Sequence, residues 1–215
     1  MSHLGINVVF DIGANRGQFA TELLENGFTG QVISFEPTQK AYEELVKSAE
    51  RHQNWHVHPR VAVGEKDATV SINVAGNSAA SSSILDMGDL HKTSAPESQY
   101  VGVEEVKLTT LAAVFHQYAG NDDKVFLKID VQGYEENVLS GALPIISKVG
   151  VIKLECSLVS LYEGDKVYQF YFDWLQSLGF VLWDLEPGYR HRETGRLLQF
   201  DATFVSQSLN DLHSV

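Results

Sequence analysis

The start of the chain places an apolar run, a glycine-containing turn and an amphipathic helix one after another. Residues 6–10 are mostly apolar on both faces, which is typical of a central parallel strand covered by helices. Gly13 and Gly17 then allow a tight turn. The apolar residues at 19, 20, 23 and 24 recur at helical spacing until Asn26 and Gly27, which predict a helix end. This order predicts the first unit of a parallel α/β sheet.

The same alternation continues along the chain. Strands are predicted over 31–35, 55–63, 124–129, 151–154, 180–185 and 202–205, and helices over 42–49, 135–140 and 168–178. Residues 68–74 and 103–108 are predicted to pair, on either side of a long loop over 76–96 that is rich in Ser, Ala and Gly. The pattern predicts a doubly wound, Rossmann-like α/β sheet, mainly parallel and ending in an antiparallel hairpin, in one domain over residues 1–215.

Size and charge narrow the classes of function. The 215 residues carry a formal charge of −12, and an acidic field repels phosphate backbones, so nucleic acid is not expected as a partner. Cys156 is the only cysteine in the sequence, so no intrachain disulfide forms and the cytoplasm is the expected location. No apolar run reaches the length of about 20 residues that spans a bilayer.

The ends of the first two strands carry the most informative polar residues, because open α/β sheets bind ligands beyond the carboxyl ends of their strands. A carboxylate at Asp11 suits the cationic groups of S-adenosylmethionine but repels a dinucleotide pyrophosphate. Asn15 stands where a dinucleotide fingerprint has its second glycine. Glu36 lies 23 residues after Gly13, where an acid accepts ribose hydroxyls. These residues favour S-adenosylmethionine over NAD.

Four segments in this order resemble one known family: FDIGANRG at 10–17, FEP at 35–37, LKIDVQGYE at 127–135 and LYEG at 161–164. On these motifs the chain is similar to the FkbM-type methyltransferases, a branch of the class I S-adenosylmethionine-dependent fold. The resemblance implies a seven-stranded sheet and methyl transfer to a hydroxyl oxygen. It also implies a sugar, polyketide, lipid or other secondary metabolite as acceptor.

The resemblance also implies where the cofactor binds. The cofactor-binding residues that it implies are Asp11, Gly13, Asn15, Gly17 and Phe19 in the first loop and helix, Glu36 and Pro37 after the second strand, Ala62 and Val63 after the third, and Ser82 and Ser83 in the serine-rich loop. Many relatives have a longer amino-terminal segment than the few residues found here. Closure of the site by a second copy of the chain is therefore one alternative, and a homo-oligomer is a candidate assembly.

Two strand ends share a lysine and an acid two residues apart. Lys128 precedes Asp130, and Lys153 precedes Glu155, so alternation places each lysine on the strand face of its acid. A neutral hydroxyl acceptor needs a nearby base. Asp130 is the first candidate for this base or for a metal ligand, Glu155 is the second, and Lys128 accompanies Asp130. The alternative is that each lysine only forms an ion pair with its acid, and no metal site is assigned.

The predicted function is therefore O-methyl transfer from S-adenosylmethionine to a small-molecule, glycan or lipid acceptor. One alternative is a noncatalytic domain that binds S-adenosylmethionine or a partner protein. An NAD-dependent oxidoreductase or epimerase is a weaker alternative, because Asn15 breaks the dinucleotide fingerprint.

Overall fold

The computed structural model describes residues 4–213 and contains ten strands and seven α-helices within them. The strands are β1 Val8–Ile12, β2 Gln31–Phe35, β3 Trp55–Val57, β4 Ala62–Val63, β5 Ala68–Ala75, β6 Tyr100–Thr109, β7 Val125–Ile129, β8 Val149–Ser157, β9 Phe180–Pro187 and β10 Gln199–Ser206. The helices are α1 Gln18–Glu25, α2 Gln39–Ala49, α3 Asp89–Ser94, α4 Leu111–Val114, α5 Glu135–Ala142, α6 Tyr168–Ser177 and α7 Gln207–His213.

Seven of the strands form one sheet in the order β3-β2-β1-β7-β8-β10-β9. β1 lies between β2 and β7 and is parallel to both, while β10 is antiparallel to β8 and to β9. This confirms the prediction of a seven-stranded, mostly parallel α/β sheet with an antiparallel carboxyl-terminal strand. The register places Asp11 of β1 beside Lys128 of β7, and Lys128 beside Lys153 of β8.

A smaller sheet of three strands has the order β4-β6-β5. The predicted pairing of 68–74 with 103–108 is confirmed, since β5 and β6 are antiparallel. The single third strand predicted over 55–63 is wrong. Trp55–Val57 joins the large sheet and Ala62–Val63 joins the small one, because Pro59 lies between them and has no N–H to donate to a strand ladder.

Both faces of the large sheet are covered by helices. One core joins the strand residues Phe10, Leu127 and Ile152 to α4, α5 and α6. The other joins Val9, Phe126 and Val151 to α1, α2 and α7. Burial on both faces accounts for the continuous apolar runs in β1 and β7. None of the helices among residues 4–213 is both long and apolar enough to cross a membrane.

β9 forms one outer edge of the large sheet. Leu182, Trp183 and Leu185 are exposed on it, and the acidic Asp184 and Glu186 lie between and after them. The pairing of β9 with β10 shifts register between Thr203 and Phe204. The edge is therefore apolar in part, interrupted by two acids and irregular in its pairing.

Candidate functional site

A cavity of about 390 Å³ lies at the carboxyl ends of β1, β2 and β7, where open α/β sheets bind ligands. Its volume is within the range of small-molecule pockets. The lining includes ten of the fourteen candidate catalytic and cofactor-binding residues: Gly13, Asn15, Phe19, Glu36, Pro37, Ala62, Val63, Ser82, Lys128 and Asp130. The other four, Asp11, Gly17, Ser83 and Glu155, do not line it and lie behind residues that do.

The loop after β1 forms one wall of the cavity and requires glycine at its first position. Gly13 has φ +79°, and a Cβ there would collide with the backbone carbonyl oxygen of Asp130. The N–H groups of Gly13 and Ala14 both donate to the carbonyl oxygen of Phe35, at 3.0 Å. The hydrogen bonds to Phe35 hold the loop backbone close to the end of β2, and the close approach to Asp130 places it against the end of β7.

Gly17, at the start of α1, serves packing rather than the cavity wall. It has φ +88°, and a Cβ would lie 2.5 Å from the ring of Trp55 and 2.9 Å from Leu45. The glycine therefore lets α1 approach α2 and β3 closely. Asn15, two residues earlier, also has a positive φ of 49°, a conformation in which asparagine is enriched.

Glu36 follows β2 and is anchored by three hydrogen bonds. Its side chain accepts from the Asn15 N–H at 2.8 Å, the Thr38 N–H at 2.8 Å and the Thr38 hydroxyl at 2.6 Å. The residue is only 5% exposed, and burial raises the pKa of its carboxyl although these hydrogen bonds oppose the shift. The contacts hold the carboxylate still at the cavity wall, with acceptor capacity left for a ligand hydroxyl.

Asp11 is fully buried and lies behind the cavity wall. It forms an ion pair of 3.2 Å with Lys128 and accepts a hydrogen bond from the Ser34 hydroxyl at 3.3 Å. Burial raises the pKa of Asp11, and Lys128 opposes that shift. Burial also disfavours the Lys128 ammonium, but Asp11 and Asp130 outweigh this effect and raise the pKa of Lys128. Lys128 is therefore a charged group that links Asp11 to the cavity.

Asp130 follows β7 and is the half-exposed carboxylate on the cavity wall. Its Oδ2 lies 3.4 Å from Lys128 Nζ, and its Oδ1 accepts from Gln132 Nε2 at 2.8 Å. The side chain is 37% exposed, compared with 12% for Lys128. Asp130 thus faces the cavity while both of its oxygens have a donor from the protein.

Glu155 of β8 lies behind this carboxylate. It accepts hydrogen bonds of 2.8 Å from Gln132 Nε2 and from Gln199 Nε2. Burial raises the pKa of Glu155 well above its ordinary value, and the carboxylates of Asp130, Glu135 and Asp201 add to the rise. Glu155 therefore favours its protonated form more than an exposed glutamate does.

The second lysine does not pair with its neighbour in sequence. Lys153 Nζ lies 2.9 Å from Glu186 and 3.2 Å from Asp201, and its closest acids are therefore on β9 and β10. Glu155, which alternation places on the same face, is bonded to Gln132 and Gln199 instead. Lys153, Glu186 and Asp201 form the polar end of the cavity lining.

The opposite part of the cavity is apolar. Ala62, Val63, Ile72, Ile84 and Tyr134 line it, and they belong to or lie near the small sheet. Next to them is the serine-rich loop, which is more ordered than its sequence suggests. Its Ser82 Oγ accepts from the Ala75 N–H at 3.0 Å, and its Ser83 Oγ donates to the carbonyl oxygen of Gln132 at 2.7 Å.

Several lining residues were not singled out from the sequence, among them Gln132, Tyr134, Glu186 and Asp201. Gln132 and Tyr134 belong to the 127–135 motif, whose polar members gave the only available signal. Glu186 and Asp201 lie on the terminal hairpin, and no local pattern marks them. Among the described residues, no group of three or more His, Cys, Asp or Glu side chains is arranged to hold a metal ion.

Solved structures with the same arrangement of elements are class I methyltransferases. A tRNA (m1A22) methyltransferase candidate from Streptococcus pneumoniae matches with a TM-score of 0.51, 15% identity, and coverage of 94% of this chain and 64% of that one. TrmK of M. capricolum, solved with S-adenosylhomocysteine, gives 0.50, 11%, 95% and 66%. The magnesium protoporphyrin IX methyltransferase ChlM of Synechocystis PCC 6803, solved with bound S-adenosylmethionine, gives 0.50, 13%, 95% and 72%.

These likenesses define the fold class, and the chain spans slightly less than two thirds of the first of these proteins. The family follows from the sequence model of the methyltransferase FkbM domain, which matches residues 11–182. The chain belongs to the FkbM methyltransferase family. The family match confirms the predicted family, its S-adenosylmethionine-dependent class and its cofactor. The comparison with curated proteins found no match to the sequence.

Proposed function

We propose that the protein transfers the methyl group of S-adenosylmethionine to a hydroxyl oxygen of a sugar, polyketide, lipid or other secondary metabolite. The observation that carries this proposal is Asp130. It is a half-exposed carboxylate on the cavity wall, held by Lys128 and Gln132, and it follows the strand next to the glycine loop. A hydroxyl acceptor needs a base at such a position, because a neutral alcohol is a weak nucleophile.

The residues of the first two strand ends fit the cofactor. The absence of a Cβ at Gly13 lets the loop backbone lie against the Asp130 carbonyl group, and Glu36 is anchored with lone pairs free for the ribose hydroxyls. Ala62 and Val63 offer an apolar wall for a base ring, and Ser82 closes the lining beside them. Asp11, behind the wall, supports the cationic groups only through the field it shares with Lys128. The cofactor supplies an electrophilic methyl group on a positively charged sulfur.

We place the acceptor in the part of the cavity next to Asp130, which is lined by polar side chains. The acceptor hydroxyl would lie against Asp130, which takes its proton as the oxygen–methyl bond forms and the sulfur–methyl bond breaks. The proton then passes to water, since the Asp130 side chain is partly exposed. Lys128 remains paired and charged throughout, because its ammonium is held between Asp11 and Asp130. Positioning of the acceptor supplies much of the remaining rate enhancement.

The charge of −12 favours a small-molecule, glycan or lipid acceptor over nucleic acid. The fold does not decide between these acceptors, since one solved structure with a similar fold is named for tRNA and another for magnesium protoporphyrin IX. Nucleic acid therefore belongs among the acceptors to be tested, and the charge argument predicts that it will not be methylated.

The first experiment is calorimetry of S-adenosylmethionine, S-adenosylhomocysteine and NAD with the intact protein and with Glu36→Ala. The two sulfur ligands should bind saturably, the variant should bind them at least about tenfold more weakly through loss of the ribose contacts, and NAD should give no signal. Saturable binding of NAD alone would overturn the cofactor assignment.

Turnover is then measured with methyl-tritiated S-adenosylmethionine and a panel of methyl α-mannopyranoside, a macrolide aglycone, dodecyl maltoside and bulk tRNA. Label in a methyl ether survives mild alkali, whereas label in a methyl ester is released. Alkali-stable transfer to one of the three hydroxyl acceptors that falls by about 100-fold or more in Asp130→Asn, with unchanged cofactor binding, supports the proposal. Transfer to tRNA would contradict the charge argument. Binding without transfer to any acceptor would favour a noncatalytic S-adenosylmethionine-binding domain.

A further inference from the structure

Gln132, two residues after Asp130, departs from ordinary backbone geometry. Gln132 has φ +57°, a left-handed conformation that costs of the order of 1 kcal/mol in a residue with a Cβ. Gly133 follows with φ +97°. The turn is held from two sides, because Ser83 donates to the Gln132 carbonyl oxygen at 2.7 Å and Glu135 accepts from the N–H of Gly133 at 3.1 Å. The strained turn directs the Gln132 side chain to one place.

In that place the amide uses both of its donor hydrogens and one lone pair of its oxygen. Nε2 donates one hydrogen to Asp130 Oδ1 and the other to Glu155 Oε2, each at 2.8 Å. Oε1 accepts from the Tyr162 hydroxyl at 2.7 Å. Two carboxylates on one side and a hydroxyl on the other determine which end of the amide is the nitrogen. The orientation of Gln132 is therefore fixed by its partners.

The Gln132 amide forms a bridge between the carboxylates of Asp130 and Glu155. Without this bridge the two carboxylates would repel each other or share a proton. With a neutral donor between them, Asp130 keeps Oδ1 bound to Gln132 and Oδ2 near Lys128. Burial is the main cause of the raised pKa of Glu155; Asp130, Glu135 and Asp201 add to the rise, and Lys128 opposes it. Without the bridge, the orientation of Asp130 would depend on the Lys128 contact alone.

We propose that Gln132 is a positioning residue that holds the Asp130 carboxylate in the orientation required to take the acceptor proton, with Tyr162 fixing the Gln132 amide in turn. This inference rests on the proposed function, in which Asp130 is the base. Nothing in the role requires Gln132 to touch the acceptor or the cofactor.

The bridge is tested first without any acceptor. Protein labelled with carbon-13 at the glutamate side-chain carboxyls is titrated by NMR, with the Glu155 signal assigned by its loss in Glu155→Gln. Gln132→Leu removes the donor to ionised Glu155, so the midpoint of the Glu155 titration should rise by about one pH unit. Gln132→Glu adds a negative charge between the carboxylates and should raise the midpoint further. Gln176→Leu, an exposed glutamine on α6, should leave it unchanged.

The positioning role is tested with the best acceptor of the panel above. Gln132→Leu should lower kcat about 10- to 100-fold while the KM for S-adenosylmethionine stays within about twofold. Gln132→Glu should also move the acid limb of the pH profile of kcat/KM to higher pH. Tyr162→Phe should give a smaller loss in kcat with the pH profile of the unaltered protein.

The outcomes separate the two proposals. If Asp130→Asn keeps full activity, or if the unaltered protein methylates nothing, the proposed function fails, and the NMR titration still decides whether the bridge exists. If Asp130→Asn is inactive but Gln132→Leu and Gln132→Glu keep the kcat and the pH profile of the unaltered protein, only the positioning role is overturned. An unchanged Glu155 midpoint in both variants overturns the bridge itself.

Discussion

Replacing Lys128 by methionine should destabilise the protein strongly, because it leaves a buried carboxylate without its counter-charge. Asp11 is fully buried, Lys128 is 12% exposed, and their ion pair measures 3.2 Å. After the change, the Ser34 hydroxyl is the one hydrogen-bond donor to the Asp11 side chain among the described contacts. Removal of one partner from a buried pair costs about 3–5 kcal/mol. Methionine keeps most of the apolar stem, so lost packing adds little.

Lys153→Met is the matched control. Lys153 lies beside Lys128 in the sheet register and also pairs with two acids, but Glu186 and Asp201 are 58% and 41% exposed. Water can solvate these carboxylates once the lysine is gone, and solvent screening reduces the strength of the original pair. The expected cost is about 1 kcal/mol or less.

The cost of Lys128→Met should depend on pH. In the folded protein the pKa of Asp11 is raised above its ordinary value of 3.8, so stability falls as the pH rises from about 3.8 through the folded pKa. Lys128 lowers the pKa of Asp11, and its loss extends that fall to higher pH. The destabilisation should therefore be largest near pH 7 and decrease towards about pH 4, where Asp11 is protonated.

The assay is equilibrium unfolding in urea, followed by tryptophan fluorescence and circular dichroism at several pH values. The free energy of unfolding of both variants is compared with that of the unaltered protein at each pH. Equal costs for Lys128→Met and Lys153→Met, or a Lys128→Met cost that does not change with pH, would refute the assignment of Asp11 as a buried charge stabilised by Lys128.

Three further predictions concern the loops around the cavity. Gly13→Ala should weaken S-adenosylmethionine binding by more than about tenfold in calorimetry, because its Cβ would meet the Asp130 carbonyl oxygen; an unchanged Kd would show that the loop is not part of the site. Thr38→Val removes the hydroxyl bonded to Glu36 and should weaken the same ligand about fivefold through looser anchoring, which competition with S-adenosylhomocysteine would measure. Burial raises the pKa of Glu135 from 4.5 to about 7. The folded protein therefore loses stability as the pH rises across that interval. Glu135→Gln should flatten the dependence of unfolding free energy on pH there, and an unaltered slope would contradict the buried position of this carboxyl.

The sequence was sufficient for the elements whose pattern is local. The apolar run of β1, the turn at Gly13 and the helix after Gly17 follow from periodicity and from the conformations that glycine allows. The order of strands and helices then limits the sheet to a few arrangements. The interruption at Pro59 could also have been read from the sequence, since proline ends a strand ladder, but the apolar residues on both sides of it concealed the break.

The ion pairs and the bridge could not be predicted in the same way. Alternation correctly places Lys153 and Glu155 on one face, but it does not rank Glu155 against acids on neighbouring strands. Asp201 lies 48 residues from Lys153 in sequence and 3.2 Å from it in the structure. The contact of Gln132 with Tyr162 likewise joins segments 30 residues apart. Such partners depend on strand order and register, which become known only with the whole sheet.

The outer strand β9 connects the chemistry of the cavity to the colloidal behaviour of the protein. A free strand edge that shows Leu182, Trp183 and Leu185 is a template for pairing with another chain, and charged side chains on the edge oppose such pairing. Glu186 is one of those charges, and it also lines the cavity as the partner of Lys153. A substitution at Glu186 made to change the acceptor would therefore also remove protection against aggregation, so selectivity and solubility are coupled through one side chain.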